Sequence, residues 1–340
     1  MKKTIIRFAT KTAAAVFMML TMVSSCAAAP TVCAEDTGNT EYVEHAEDTA
    51  SATEPDKKMA KGGILPDIPD GDVTTVAKDG TGDFFTVQEA VDATPDGGTV
   101  VIMPGTYVEC VRIHGKKVNL IGSGMENCII AYDTVNYTCV PLEIAAGTVK
   151  DITLYGMHGR DTMTEEETAY AVSLLGDNFE KVRNVSGYTV HIEQDYFYGR
   201  QLIFERCRFV SENNQCVGVG TRGGSSLTFK GCEFINSSSA CIFMHDAVVP
   251  SVGGKTVFTM EDCRLVSACD YAIALTTYNG YNAFDLKFVN VSVSDKNGNP
   301  LLCPIMAENV TPFENGWCGL CNTHLMPESK GNNVALMNYR

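Results

Sequence analysis

The chain has 340 residues and carries 41 acidic against 26 basic residues, a formal net charge of −15 at pH 7. This acidity argues against nucleic acid as a partner, because phosphate backbones are bound through lysine and arginine. It also repels polyanions unless a local groove is basic, so the charge favours neutral or esterified ligands.

The first 34 residues have the organisation of an export signal. Basic residues precede an apolar run from Ala13 to Val23, which is followed by small residues. The run is too short to span a membrane. Two processing routes remain open, lipid attachment at Cys26 or cleavage after Ala34. Both predict a secreted or cell-surface protein, which contacts a membrane only through a lipid on Cys26.

A polar segment follows at residues 35–69. It is rich in Asp, Glu, Thr, Ala and Pro and poor in large apolar residues, so it cannot bury enough surface to offset the entropy of ordering. We expect a disordered acidic linker here. Residues 70–340 are long enough to bury one large core, and we expect a single domain and a monomer.

The first regular element of this domain is a short helix. Thr86 with Glu89 three residues later forms a capping box, and Pro95 stops the helix. The sequence therefore predicts a helix from Val87 to Ala93.

Two series of strands repeat through the rest of the chain. In the first series apolar and polar residues alternate around a cysteine, at Leu202–Phe209, Leu227–Phe234 and Phe258–Leu265. The second series follows in phase, at Ala171–Leu174, Val190–Glu193, Cys216–Val219, Cys241–Met244 and Ala272–Leu275. Such repeats indicate a solenoid in which each coil stacks on its neighbours.

Because helix signals are almost absent, the solenoid is expected to be all-β. We predict a single-stranded, right-handed parallel β-helix. Its end coils need covering, since they would otherwise expose the core and open strand edges. The helix at Val87 to Ala93 is the predicted N-terminal cap.

Several motifs resemble the pectin methylesterase family. They lie at Val76–Asp92, Pro104–Glu109, Lys116–Gly122, Glu193–Asp195, Arg200–Cys207, Val310–Pro312 and Gly316–Trp317. The resemblance implies a β-helix that removes methyl esters from pectin. In that family, the resemblance implies, one Asp attacks the ester and a second acts as acid and base. Two Gln amides stabilise the oxyanion, and an Arg orients the nucleophile.

Few of these implied residues are present in this chain. The acid/base position falls on Asp195, or on Val190 in a second alignment, and the nucleophile position falls on Asn214 or Cys216. Asn is not a useful nucleophile, and the place of Cys216 in the second strand series favours a buried residue. The catalytic site is therefore predicted to be degenerate.

The implied amide positions are altered as well. The first Gln falls on Tyr170, and the second is Gln194 or, in the other alignment, Thr189. The arginine of the family's Arg-Pro-Trp motif has no match, since no arginine lies between Arg264 and Arg340.

Other polar residues recur in phase with Asp195. Arg222 lies one coil further on, and His245 and Asp246 one coil beyond that. Neighbouring coils are about 4.8 Å apart, so these side chains can line one groove. They form either a catalytic site that replaces the family's own or a plain polar groove. Tyr278 and Tyr281, in a turn-like segment, are candidates for stacking on sugar rings.

No cofactor or metal site is expected, and the cysteines are predicted to be mostly buried thiols. The predicted function is that of a secreted pectinesterase-like protein that acts on, or binds, plant cell-wall pectin. Two alternatives are a catalytically inactive carbohydrate-binding protein and a structural surface β-helix.

Overall fold

The computed structural model describes residues 71–133, 140–157, 187–212, 214–246, 254–276, 284–301, 305–308, 317–318, 323–331 and 336–339. Several predictions lie outside these residues. They are the export signal at 1–34, the linker at 35–69 and the candidate site residues Tyr170, Tyr278 and Tyr281.

The described residues form 25 strands and two short helices. The helices are α1 (Val87–Ala93) and α2 (Gln194–Phe197). The strands are β1 (Val73–Val76), β2 (Thr99–Ile102), β3 (Gly105–Val108), β4 (Val111–Ile113), β5 (Asn119–Gly122), β6 (Cys128–Asp133), β7 (Leu142–Ile144), β8 (Gly147–Lys150), β9 (Thr153–Met157), β10 (Val190–Ile192), β11 (Gln201–Glu205), β12 (Arg208–Ser211), β13 (Val217–Thr221), β14 (Ser226–Lys230), β15 (Glu233–Asn236), β16 (Ile242–Asp246), β17 (Thr256–Glu261), β18 (Arg264–Ser267), β19 (Ile273–Thr276), β20 (Phe284–Val289), β21 (Ser292–Asp295), β22 (Ile305–Glu308), β23 (Trp317–Cys318), β24 (Thr323–Leu325) and β25 (Leu336–Tyr339).

These strands form three sheets whose neighbours come from successive coils. Sheet A has the order β1-β2-β5-β8-β11-β14-β17-β20-β24-β23, sheet B the order β21-β18-β15-β12-β9-β6-β3, and sheet C the order β25-β22-β19-β16-β13-β10-β7-β4. Strands of adjacent coils pair in parallel, for example β11 with β14 and β13 with β16. The predicted parallel β-helix is confirmed.

The predicted helix is present with the predicted bounds, as α1. The Glu89 amide donates to Thr86 Oγ1 at 3.2 Å, and Thr86 Oγ1 donates to the Glu89 carboxylate at 2.8 Å. Glu109 adds a second cap, because its two oxygens accept from the amides of Val87 and Gln88, each at 2.9 Å. The amides of Val87, Gln88 and Glu89, in the first turn of the helix, thus each donate to a side-chain oxygen.

The cysteine-centred segments were predicted as single strands, and this was wrong. Each is divided into a strand of sheet A and a strand of sheet B by one residue in the left-handed conformation. That residue is Arg206 (φ 49°) before Cys207, Gly231 (φ 59°) before Cys232 and Asp262 (φ 53°) before Cys263. The alternation shifts by one residue at the bend, because two outward residues in a row, Glu205 and Arg206 in the first segment, separate the buried Phe204 from the buried Cys207.

The same bend recurs in five successive coils, at Asp151, Arg206, Gly231, Asp262 and Asn290. The amide of each of these residues donates to a carbonyl of the next coil, at 2.8–3.1 Å. The left-handed conformation costs about 1–2 kcal/mol for a residue with a side chain. Arg206 is held in it by a bidentate ion pair with Asp151 of the preceding coil, at 2.8 and 3.0 Å.

Inside each bend a small buried residue packs on its counterparts in the neighbouring coils. The ladder runs Ile152, Cys207, Cys232, Cys263 and Val291, all of them buried. The three cysteines are free thiols, as are the other five among the described residues. Burial raises the pKa of Cys232 well above its ordinary value, so this thiol stays protonated and unreactive.

A polar ladder closes the opposite end of the sheet B strands. Ser211, Asn236, Ser267 and Asp295 share one register position, and each hydrogen-bonds to the turn that follows. Asn236 makes the most of these bonds: its amide nitrogen donates to Asn214 O and Ala240 O, and its carbonyl oxygen accepts from the amides of Ser238 and Ser239. It is almost fully buried.

Replacing Asn236 with Ala should lower the free energy of unfolding by about 2–4 kcal/mol, because buried backbone groups lose their partners. Denaturant titration measures the change. Asn127→Ala is the matched control, since Asn127 is exposed and its side chain makes one long hydrogen bond of 3.3 Å. Equal stability of Asn236→Ala and the control would contradict this role.

Candidate functional site on the outer face of sheet C

The outer face of sheet C carries most of the polar residues singled out above. In β10 and β13 the residues Val190, Ile192, Val217 and Val219 are buried, so the residues between them face outward. One outward row runs across five strands in register, through Arg112, Glu143, His191, Gly218 and Phe243. The row therefore changes from charged to uncharged along the solenoid.

Two glycines leave room for side chains to lie flat on this face. A Cβ on Gly218 would lie 2.3 Å from the Tyr188 ring, so the tyrosine covers the glycine directly. A Cβ on Gly220 would lie 3.0 Å from Gln194 Cβ and 3.4 Å from His245 Cε1. Gly220 thus lies between Gln194 and His245.

Helix α2 brings Gln194 and Asp195 to this face, immediately after β10. Arg222 follows β13, one coil further on, and its Nη2 lies 2.6 Å from Asp195 Oδ1. Two buried atoms beside this pair, Gln194 Oε1 and Arg222 Nε, have no hydrogen-bond partner in the described part of the chain. Buried polar atoms without partners at a surface groove are suited to bind a polar ligand.

The structure thus brings Gln194, Asp195, Arg222 and His245 into one region around Gly220. The backbone of Asp246 pairs with that of Thr221 at the end of β16, and its side chain lies outside the description. The Asp195–Arg222 ion pair joins two sequence positions that lie in different coils.

Neither residue at the implied nucleophile position faces this groove. Cys216 is fully buried, with its Sγ 3.6 Å from the carbonyl oxygens of Phe209 and Ile235. Asn214 lies in the turn before β13, where its Oδ1 accepts from the Gln215 amide at 2.8 Å. The first is a core residue and the second a turn residue, as their local sequence favoured.

A second polar cluster, which the sequence analysis did not single out, surrounds Glu143 on β7. His114 Nε2 lies 3.1 Å from Glu143 Oε1, His191 Nδ1 lies 3.5 Å from the same oxygen, and Arg112 Nε lies 3.8 Å from Oε2. We call these four residues the Glu143 cluster. Arg112 and His114 lie two residues apart at β4, whereas Glu143 and His191 come from the next two coils, so the sequence offered no signal beyond the period of the coils.

Glu143 is almost buried, yet it remains ionised. Burial by itself raises the pKa of this carboxyl, but the adjacent His191 and His114 outweigh burial and hold the pKa below its ordinary value. Arg112 adds a third basic group at the same carboxylate. A buried carboxylate with three basic neighbours is a common arrangement where a histidine must be oriented.

Aromatic rings border both clusters. The Tyr196 ring stacks on His114, with centroids 4.6 Å apart, and the Tyr188 ring stacks on His191 at 5.8 Å. Tyr196 and Tyr198 are exposed, whereas Phe197 between them is fully buried in the core. Phe197 thus anchors α2 while the two tyrosines face solvent.

In the described parts of the chain no group of three or more His, Cys, Asp or Glu side chains is arranged to hold a metal ion. No helix among these residues is both long and apolar enough to cross a membrane.

The fold and this face define a class of protein: a parallel β-helix with polar and aromatic side chains on the outer face of one sheet. Residues 73–150 match the family model described as Pectinesterase. These residues are 78 of the 340 in the chain, and they include Arg112, His114 and Glu143.

Two curated relatives match the same part of the chain. "Probable pectinesterase 56" of Arabidopsis thaliana is 44% identical over 64 residues, which is 17% of this chain and 22% of the relative. Pectinesterase 2.1 of Solanum lycopersicum is 46% identical over 61 residues, 16% of this chain and 11% of the relative. Together with the family model, these matches support membership of the pectinesterase family, as the resemblance predicted.

Solved structures are similar over a longer stretch. Pectin methylesterase PemA from Erwinia chrysanthemi aligns over 78% of this chain and 80% of its own, with 13% identity and a TM-score of 0.44. Pectin methylesterase from carrot aligns over 76% of this chain and 89% of its own, with 16% identity and a TM-score of 0.37.

The family match ends at residue 150, before Asp195, Asn214 and Cys216. The matched stretch spans about a fifth or less of the length of the curated relatives. The activity of this chain therefore has to be argued from its own residues.

Gly218→Ala should destabilise the protein by about 1–3 kcal/mol, because the new methyl group overlaps the Tyr188 ring. Removing the ring as well, in Gly218→Ala with Tyr188→Ala, should cost less than the sum of the two single changes. Thermal unfolding of the four proteins of this double-mutant cycle measures the coupling. Additive costs would contradict direct packing of the ring on Gly218.

Glu143→Gln tests the charge of the buried carboxylate. Since the pKa of Glu143 is lower in the folded than in the unfolded protein, its charge stabilises the fold above the ordinary pKa of 4.5. This contribution is lost as pH falls through the folded pKa. The stability difference between the unchanged protein and Glu143→Gln should therefore be larger at pH 5 than at pH 3. Denaturant titrations at both values measure it, and a constant difference would refute the assignment.

Proposed function

We propose that this protein is a secreted, pectinesterase-like protein that binds methyl-esterified pectin on the outer face of sheet C and hydrolyses its esters. The observation that carries this proposal is the Asp195–Arg222 ion pair beside two buried polar atoms without partners. The family match of residues 73–150 supports the pectin-related substrate class.

The unpartnered atoms suit a saccharide. Gln194 Oε1 accepts a hydrogen bond from a sugar hydroxyl, and Arg222 Nε donates one to a hydroxyl or carbonyl oxygen. Binding a sugar there removes two unsatisfied buried groups, each of which costs about 1–3 kcal/mol when left alone. The exposed rings of Tyr196 and Tyr198 provide apolar surface against which sugar rings pack.

The net negative charge of the chain fits an esterified polymer better than a fully ionised one, because methyl esters remove the carboxylate charges that the protein would repel. The same electrostatic repulsion favours release of the product. Each hydrolysed ester leaves a carboxylate on the polymer, and this charge weakens its attraction to an acidic protein.

In the proposed reaction Asp195 is the acid/base residue. Its carboxylate, held 2.6 Å from Arg222 Nη2, takes a proton from a water molecule. The water oxygen bonds to the ester carbonyl carbon, and the carbon–oxygen bond to methoxide breaks. Methoxide takes the proton from Asp195 and leaves as methanol, and the new carboxylic acid on the polymer releases its proton to solvent and becomes a carboxylate. This route needs no covalent nucleophile, which agrees with the burial of Cys216.

Asp195→Asn should lower the rate of methanol release from highly methyl-esterified pectin by about 10²-fold or more, because Asn cannot accept the proton. The matched control is Asp285→Asn, which removes an aspartate that is ion-paired to Lys255 on sheet A, at 2.9 Å. The control should release methanol at the unchanged rate.

Retention of pectin by the unchanged protein is measured in parallel. Retention without methanol release would establish the alternative, a carbohydrate-binding protein without catalysis. Methanol release at the unchanged rate from Asp195→Asn would show that another residue is the base. Absence of both retention and release would leave a structural surface role.

A further inference from the structure

We infer that the Glu143 cluster is a second ester-hydrolysing centre, in which His114 is the general base and Glu143 orients it. The centre takes small carboxylic esters, acts through an activated water and uses a base other than Asp195, which lies next to it in α2. It does not depend on the function proposed for Asp195.

The first step of the argument is the contact between His114 and Glu143. His114 Nε2 lies 3.1 Å from Glu143 Oε1, so an Nε2–H donates to the carboxylate. A histidine held in this way has its Nδ1 lone pair available as a base. Carboxylates that fix the tautomer of a catalytic histidine make the same kind of contact.

The second step concerns exposure. The Glu143 side chain is 12% exposed and the His114 side chain 38% exposed. The carboxylate is therefore shielded from water, where its hold on the imidazole is strongest, while the His114 side chain remains accessible from solvent. A purely structural ion pair would not need this gradient from buried carboxylate to exposed base.

The third step is that the ring of His114 is held from a second direction. Tyr196 stacks on it with an interplanar angle of 11° and a centroid distance of 4.6 Å. Tyr196 belongs to α2, which Phe197 anchors in the core. The imidazole is thus fixed in its plane by the tyrosine and in its rotation by the carboxylate, which is the preorganisation that a general base requires.

Two further basic residues lie next to the Glu143 carboxylate. His191 and Arg112 also face Glu143, at 3.5 and 3.8 Å, and Glu193 lies 3.8 Å from the other ring nitrogen of His191. Arg112 lies on β4, two residues before His114, and its side chain is 45% exposed. Its guanidinium can therefore stabilise the negative oxygen that forms during attack. His191 is a positioning residue for Glu143.

The two sites are neighbours on sheet C. Asp195 directly precedes Tyr196, whose ring stacks on His114, whereas Arg222 follows β13, on the far side of β10 from β4 and β7. At about 4.8 Å per strand, β4 and β13 are about 14 Å apart across the sheet. A polymer lying along the solenoid passes both sites.

In the proposed step His114 Nδ1 takes a proton from a water molecule, and the water oxygen bonds to the ester carbonyl carbon. The resulting tetrahedral oxyanion lies beside Arg112. It collapses with cleavage of the bond to the alcohol oxygen, and the alkoxide takes the proton from His114. The products are a carboxylate, an alcohol and one proton released to solvent, and no cofactor is consumed.

The test uses p-nitrophenyl acetate as the probe and the full chain as the protein. His114→Asn and Glu143→Gln should each lower the rate of nitrophenolate release above buffer by at least about 10-fold. Glu233→Gln is the matched control, because it removes a carboxylate that is ion-paired to Arg208 at 2.9 Å on sheet B. The control should hydrolyse the probe at the unchanged rate.

Two further measurements separate catalysis from structure. Free imidazole should restore hydrolysis to His114→Ala but not to Glu143→Gln, which a merely structural histidine would not allow. The far-UV circular dichroism of His114→Asn and Glu143→Gln should match that of the unchanged protein, so that a lost rate reports on the site and not on unfolding. Hydrolysis by His114→Asn at the unchanged rate, or none by the unchanged protein above buffer, would overturn the inference.

These outcomes are independent of the Asp195 site. Methanol release that depends on Asp195, together with probe hydrolysis that does not depend on His114, would support the proposed function and refute this inference. The reverse pattern would support the inference and refute the role of Asp195.

Discussion

The structure depends on one backbone interaction, the hydrogen bond from the residue at the bend between sheets A and B to the next coil. Five successive coils repeat it, from Asp151 to Asn290, and each places its residue in the left-handed conformation. In every coil the amide of this residue donates to a carbonyl at the equivalent position of the next coil, and this hydrogen bond offsets the cost of the conformation. Once the bends are in register, the residues that follow them form the buried ladder that includes Cys207, Cys232 and Cys263.

Register at the bend also determines the face of sheet C. Because coils stack in parallel without slipping, residues from distant parts of the chain lie side by side in rows. Glu143 lies between Arg112 and His191 for this reason, and Gly218 continues the row where Tyr188 covers the sheet. The chemistry of the face thus follows from which residue type each coil contributes to a shared row.

The altered family site has a physical explanation in these rows. A nucleophile must face outward, yet Cys216 faces the core, where it packs with Cys241. The polar contacts on the outer face join side chains from different coils, with Arg222 beside Asp195 and His114 beside Glu143. A solenoid tolerates such exchange, because each coil needs only its inward residues and its bends to stack correctly.

The sequence by itself determined the all-β solenoid, the helix at Val87 to Ala93 and the in-phase positions of Asp195, Arg222 and His245, because these follow from local periodicity and capping. The division of the cysteine-centred segments into two strands was missed, although two non-apolar residues in a row before each cysteine interrupt the apolar alternation there. Only the tertiary structure decided which side chains touch. The Asp195–Arg222 and His114–Glu143 contacts join residues 27 and 29 positions apart, and such contacts depend on how the coils stack.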